Sequence, residues 1–181
     1  MEEGILDALT AILTRRSIRK YQAKPDPEEL VQQLLAAAAS APSAGNERPW
    51  HFIVVDDRRI LDAIPEFHEH ADMLREAPLA IVVCGDERQE QHKGFWVQDC
   101  SAATQNVLLA AHAEGLGTVW LGVYPREQRV REMRRLLGLP QEVTPLAIVA
   151  VGYPAETVEG SHSLDESRVH RNKWQAKQGA P

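Results

Sequence analysis

Apolar positions along the chain follow two rhythms. Residues 2–14 place Ile5, Leu6, Leu9, Ile12 and Leu13 on one helical face. The stretch "KPDPEELVQQLLAAAAS" then carries a helix start, with Asp26 as cap, Pro27 at the first helical position and Glu29 three residues after the cap. That helix runs to about Ser40, and "APSAGNERP" breaks it into a loop. "WHFIVVDD" is rich in branched and aromatic residues and predicts a strand. Residues 57–77 predict a helix interrupted at Pro65. "PLAIVVCGD" is apolar throughout, as a strand buried on both faces is.

The same alternation continues to residue 154. A long helix is expected from about Gly94 to Glu114, stopped by Gly115. Its Ala102, Ala103, Ala110, Ala111 and Ala113 allow a neighbouring backbone to come close. "GTVWLGVYP" predicts a third strand, "REQRVREMRRLLG" a helix closed by Gly138, and "TPLAIVAVGYP" a fourth strand. In the arginine-rich helix, Val130, Met133, Leu136 and Leu137 mark the core face and the arginines a wet one. From Ala155 to Pro181 the chain is polar and weakly periodic. There is no internal repeat or linker, so a single domain of 181 residues is expected, either a three-layer α/β sandwich or an α+β arrangement.

Charge narrows the class of partner. With 20 Lys and Arg against 26 Asp and Glu the net charge is −6, which argues against nucleic acid or an anionic membrane as main partner. No apolar run reaches the roughly 20 residues that span a bilayer. The acidic, amphipathic start "MEEGILDALTAIL" does not read as a signal peptide. Cys84 and Cys100 form no CxxC motif and are expected as buried, reduced thiols of a cytoplasmic protein.

Against that acidic background, "RRSIRKY" gathers Arg15, Arg16, Arg19 and Lys20 around Ser17. Guanidinium groups bind phosphate through paired hydrogen bonds, and a hydroxyl adds another donor. A phosphate cradle and a solvated basic turn both satisfy the pattern. The loop "PSAGN" has small residues that let a flat ligand approach backbone amides, and Asn46 supplies both a donor and an acceptor. An ordinary helix-to-strand loop has the same composition. "GLGTVWLG" fails as a dinucleotide fingerprint, because Trp120 stands where glycine is needed and the glycines precede the strand. Leu121 and Gly122 fall at a strand end, a common ligand position. "HEH" at 68–70 lacks the HExxH pattern, so a solvated helix face is preferred to a metal site. No GxSxG elbow surrounds Ser43. In the tail, "ESRVHRNKW" places Arg168, Arg171 and Lys173 beside the apolar anchors Val169 and Trp174, and a tail folding back would bring these cations to the first cluster.

These motifs, in this order, resemble the nitroreductase family of flavin-dependent oxidoreductases. The matching stretches are "RRSIRKY", "APSAGNERPWHFIVV", "EAPLAIVVCGD", "WVQDCSAATQNVLLAAHAEGLGTVWLGVYP", "LLGLP", "PLAIVAVGYPAE" and "RVHRNKW", covering about residues 10–174. The resemblance implies an α+β fold, a three-layer sandwich with a mostly antiparallel sheet, in an intertwined homodimer whose core is the alanine-bearing helix and whose tail, from about residue 155, embraces the partner. It implies one FMN at each of two interfacial sites. It implies that Arg15, Arg16, Ser17 and Arg19 hold the phosphate and ribityl chain, with Arg171 and Lys173 closing the site from the tail. Pro42, Ser43 and Asn46 would line the isoalloxazine ring from the other subunit, and Thr118, Leu121 and Gly122 would offer backbone contacts near it.

The implied activity takes hydride from NAD(P)H onto FMN and passes it to a nitroaromatic, quinone or similar acceptor in ping-pong turnover, with no catalytic side chain named. Other outcomes of the same resemblance are dehalogenation or flavin fragmentation, and a flavin-binding protein without turnover. The chain departs from the family at Arg48, where glutamine is common. That cation suits an anionic substrate or the NADPH phosphate, or an ion pair with Glu47 or another carboxylate.

Overall fold

The computed structural model describes residues 6–24, 28–160 and 163–174. The expected helix-and-strand order is present: α1 (Ala8–Thr14), α2 (Glu28–Ala39), β1 (Trp50–Val55), α3 (Arg58–Ala63), β2 (Leu79–Asp86), α4 (Trp96–Ala113), β3 (Gly117–Gly122), α5 (Glu127–Leu137) and β4 (Val143–Gly152). The strands form one antiparallel sheet in the order β1-β2-β4-β3. β2 and β4 are buried along their whole length because they are the two central strands.

Side chains alternate across this sheet and feed two cores. Leu79, Ile81, Val83, Val149 and Val151 face α2 and α4. Ala80, Val82, Cys84, Ile148 and Ala150 face the other way, with Leu61, Ile64, Leu74 and Met133 from α3, the turns after it and α5. The result is a three-layer α/β/α arrangement. Pro65 does break the helical stretch as expected: α3 ends at Ala63, and short 3-10 turns at Ile64–Glu66 and Asp72–Arg75 follow.

Caps fix the element ends. Asp7 accepts from the Leu9 and Thr10 amides at 3.0 and 3.1 Å and so starts α1. Gly138, at φ 65°, closes α5 in the left-handed conformation. Gly115, at φ 75°, turns the chain out of α4 and into β3. Gly115 is therefore a helix stop, as its position in the sequence implies, and Gly117 opens β3. The expected cap at Asp26 and Pro27 lies outside the described residues.

The apolar face of α1 is not buried within the chain: Leu9, Ile12 and Leu13 are 64%, 55% and 57% exposed, and only Ala11 is covered. Helix α4 spends much of its small-residue surface on its own fold. Ala103 and Ala111 are fully buried in the core it shares with α2 and the sheet, and Ala102 and Ala110 are packed against that core.

Candidate functional site

Strand β3 is an edge strand, and its outer edge organises the site. The "RRSIRKY" segment lies along its first half. Ser17 and Thr118 form a parallel bridge, and the Ile18 amide donates to the Thr118 carbonyl at 2.9 Å. The segment is tied down at both ends. Glu156 accepts from the Arg19 and Lys20 amides at 2.6 and 3.1 Å, and the Tyr21 hydroxyl donates to the Ile18 carbonyl at 2.7 Å.

Within a strand, a residue's N–H and C=O point to the same side, and the sides alternate. The Thr118 carbonyl points outward, to Ile18. The Gly122 carbonyl also points outward, accepting from His68 Nε2 at 3.0 Å and Arg129 at 2.9 Å. Trp120 shares their parity. Among the described residues, the outward-facing amides of Trp120 and Gly122 and the Trp120 carbonyl have no partner. They face a cavity of about 240 Å3 lined by Arg19, Trp120, Leu121, Gly122, His68 and Arg129. A Cβ placed on Gly122 would meet nothing within 4 Å, so this backbone opens onto free space.

The sequence pattern suggests a solvated His68. The side chain is instead 1% exposed and sits in the turn between the two 3-10 segments, not on a helix face. Its Nδ1 accepts from the His70 amide at 3.3 Å, which leaves the proton on Nε2, the nitrogen facing the Gly122 carbonyl. Burial, then the nearby Arg129 charge, pushes its pKa below the usual 6.5, so the ring is held neutral. Arg129 also reaches Glu69 at 3.3 Å. Sequence reasoning misses both groups because their role depends on a carbonyl distant in the chain.

The basic cluster divides between two cavities. Arg19 lines the β3 cavity. Arg16 and Ile18 line a different one, of about 340 Å3, with Thr14, His112 and Glu156. The Arg16 guanidinium donates to the carbonyls of Leu13, Arg15 and Gly160. Arg15 and Ser17 share the parity of Arg19 in this extended segment. His112 Nε2 lies 2.8 Å from the Thr14 hydroxyl; burial, then the charges of Arg15 and Arg16, lowers its pKa. Arg171 and Lys173 lie in the exposed tail, where the Lys173 amide donates to the Arg171 carbonyl at 2.7 Å. Neither hydrogen-bonds to residues 15–19 among the described residues.

The loop holding Pro42, Ser43 and Asn46 lies at the opposite edge of the sheet. It leads into β1, three strands away from β3, which is roughly 14 Å at the usual strand spacing. It is tightly shaped: Gly45, Asn46 and Arg48 have φ of 54°, 58° and 48°. Ser43 Oγ accepts from the Arg48 amide at 3.0 Å, and Arg48 Nε donates to Asn46 Oδ1 at 2.9 Å. Glu47 turns away from Arg48 and accepts from the Gln91 and His92 amides at 2.6 and 3.1 Å. The Glu47–Arg48 ion pair allowed by the sequence is therefore absent.

Cys84 and Cys100 are buried and free, with burial raising the Cys84 pKa to about 12. Among the described residues no cluster of His, Cys, Asp and Glu is arranged to hold a metal, and no helix is long and apolar enough to cross a membrane.

The sequence profile of the nitroreductase family matches residues 12–71 and 66–153. The chain belongs to the nitroreductase family. It is 54% identical to a Methanothermobacter thermautotrophicus protein with the provisional name NADH dehydrogenase/NAD(P)H nitroreductase, over 93% of this chain and 88% of that one. The FMN-dependent nitroreductase of Clostridium difficile R20291 superposes with a TM-score of 0.81 at 33% identity, covering 88% of this chain and 96% of that one. A 5,6-dimethylbenzimidazole synthase of Rhodospirillum rubrum is 32% identical over 97% of this chain and 92% of its own. This family member therefore has relatives of more than one chemistry across nearly its full length.

Proposed function

We propose that this chain is an FMN-dependent oxidoreductase that takes reducing equivalents from NAD(P)H and delivers them to a nitroaromatic, quinone or similar acceptor. The observation that carries the reading is the open edge of β3. Unpaired Trp120 and Gly122 backbone groups face a cavity with Arg19 on its wall and no side chain at Gly122 to fill it. A flavin has a heteroaromatic edge of alternating donors and acceptors, which matches this row of backbone groups. The residues present fit FMN.

Bound FMN supplies two-electron redox chemistry; the protein supplies binding, orientation and charge. The Trp120 and Gly122 backbone and the Leu121 flank would hold the ring edge. Arg19 would place a cation beside it, and Arg15 and Ser17, on the same side of the segment, would take the phosphate. Arg16 already spends donors on three carbonyls and would act by shaping the segment. His68 and Arg129 fix the Gly122 carbonyl and so set the direction of the strand end. No side chain is assigned a proton-transfer role.

Pro42, Ser43 and Asn46 reach the same ring only from a second copy of the chain, because their own β3 lies across the sheet. The exposed Leu9, Ile12 and Leu13 offer a surface for that copy. Arg171 and Lys173, in a tail extending from the body, would complete the phosphate site within that homodimer. The acidic balance disfavours nucleic acid or an anionic membrane as partner, and a cytoplasmic location is part of the proposal.

The test is the visible spectrum of the purified protein, followed anaerobically as NADPH and then NADH is added. Flavin bands that bleach, and return with a quinone or nitroarene, support the reading. A colourless protein that takes up no added FMN overturns it. Flavin bands that stay unbleached by either nucleotide would instead favour flavin fragmentation or simple flavin carriage.

A further inference from the structure

The 42–48 loop is clamped to α4 and to the 87–94 segment by two carboxyl groups that the activity does not use. Asp99, on the first turns of α4, is 5% exposed, and its Oδ1 accepts from the Ala44 amide at 3.0 Å. Glu47 Oε2 accepts from the Gln91 and His92 amides. Each group thus has one oxygen satisfied by backbone. The other oxygens, Asp99 Oδ2 and Glu47 Oε1, are both buried and have no donor. The two side chains lie within hydrogen-bonding reach of each other.

Two adjacent buried carboxylates facing each other are unfavourable unless a cation or a proton lies between them. No cation pairs with either group among the described residues. Arg48 is directed to Asn46, and His92 lies beside Gly45. The other titratable groups nearby cannot neutralise the pair. Glu90, whose Oε1 accepts from the Gly94 and Trp96 amides at 2.9 Å, adds negative charge, and Cys100 directs its thiol at the Cys84 carbonyl of β2.

We propose that Asp99 and Glu47 share one proton, donated from Asp99 Oδ2 to Glu47 Oε1, and that this proton braces the 42–48 loop in the shape the ring site requires. Asp99 is a positioning residue acting through the loop. The loop needs such a brace because Asn46 and Arg48 hold left-handed backbone conformations that relax unless their surroundings enforce them. Burial, followed by the charges of Glu47 and Glu90 and the contact with Glu47, raises the Asp99 pKa above 3.8, with the Ala44 amide opposing. The folded chain therefore binds the proton more tightly than the unfolded chain. Stability falls as pH climbs from 3.8 towards the raised value, where the proton is released to solvent and two anions remain. The link from loop to ring rests on the proposed function.

The experiment compares wild type, Asp99→Asn and Glu47→Gln as flavin-loaded protein, with thermal unfolding by circular dichroism and FMN dissociation by fluorescence from about pH 4 to about pH 9. The amide introduced by Asp99→Asn donates as the shared proton does and keeps the acceptor for Ala44. The amide introduced by Glu47→Gln donates in the reverse direction. All three proteins share the acid limb that His68 contributes, so the readout is the difference between them: relative to both variants, the wild type is expected to lose stability as pH rises. Its FMN dissociation constant is expected to rise across the transition, while those of both variants stay constant. A protonated-carboxyl infrared band present in wild type and absent from Asp99→Asn would support the shared proton directly.

Parallel stability profiles for wild type and both variants, with no such band, overturn the shared proton. Stability profiles that diverge while FMN affinity stays equal in all three proteins keep the proton and overturn the link to the ring. Asp99→Ala, which removes the Ala44 acceptor, is expected to be destabilised at every pH. That result separates loss of the backbone contact from loss of the proton.

Discussion

Replacing Gly122 by valine tests the β3 site without disturbing the fold. A Cβ at this position meets nothing within 4 Å, so the new side chain starts into open space. Its backbone conformation is not in the left-handed region. Strands favour β-branched residues, and replacing glycine restricts the unfolded chain, so the effect on folding should stay within about 1 kcal/mol and be neutral or stabilising. The added methyl groups instead enter the cavity that exposes the Gly122 amide. Loss of one backbone hydrogen bond to the flavin edge costs about 0.5–1.5 kcal/mol, and displacement of the ring removes further contact. Together they weaken FMN binding by at least about tenfold, since about 1.4 kcal/mol is a factor of ten. FMN fluorescence titration and thermal unfolding on the same samples measure both effects. Gly117 and Gly85 provide the contrast. A Cβ there would stand 2.7 Å from Ile18 and 2.4 Å from Trp96, so alanine at either site should destabilise the fold itself. Unchanged FMN affinity in Gly122→Val would refute the placement of the ring on this edge.

Four further outcomes are expected. Arg19→Ala should lose FMN while unfolding at the wild-type temperature, because the side chain is exposed and only its backbone amide anchors the segment; equal FMN retention by absorbance would exclude Arg19 from the site. The lowered pKa of His68 means that the unfolded chain takes up a proton that the folded chain refuses, so this residue costs stability as pH falls below 6.5. His68→Gln keeps a donor towards Gly122 and should flatten that acid limb in a pH series of melting temperatures. Cys84 and Cys100 should resist a thiol reagent until the protein unfolds, because burial raises both pKa values; stoichiometric labelling of native protein would contradict their placement. Ile12→Glu should yield a monomer by light scattering and weaken FMN binding, since a buried aliphatic side chain contributes about 1.5–3 kcal/mol to an interface; a dimer with unchanged affinity would exclude the α1 face as the contact.

The layered fold is legible because its signals are local or periodic. The continuous apolar runs of β2 and β4, the alternating core faces and the glycine stops at 115 and 138 can each be read within a few residues. The segment "RRSIRKY" also stands out, because its charge opposes that of the whole chain. Its division is less visible. Arg16 and Arg19 are three positions apart, yet an extended backbone sends them to different cavities, and composition carries no such parity until the Ser17–Thr118 bridge is known. His68 escapes a sequence reading because its neighbours Glu69 and His70 are polar and exposed, whereas its own surroundings come from β3 and α5. Asp99 sits in a helix whose pattern gives no hint of a carboxylate buried against a loop 55 residues earlier. The α1 face is legible as apolar, but a pattern of apolar residues does not say whether the covering surface is the same chain or another.

The open stretch of β3 also has a consequence for the protein before its cofactor arrives. A sheet edge with unpaired amides and carbonyls is a template for any extended peptide, including another copy of the same strand. Here the template is short. Residue 118 is closed by the Ser17 segment, and the Gly122 carbonyl is closed by His68 and Arg129, so only the groups around Trp120 and the Gly122 amide are left to pair. Newly made chains would be most prone to sticking together through this gap, and a flavin seated there would work as a stopper as well as a redox group. Expression with riboflavin in short supply should therefore reduce soluble yield more than the lost binding energy alone would explain.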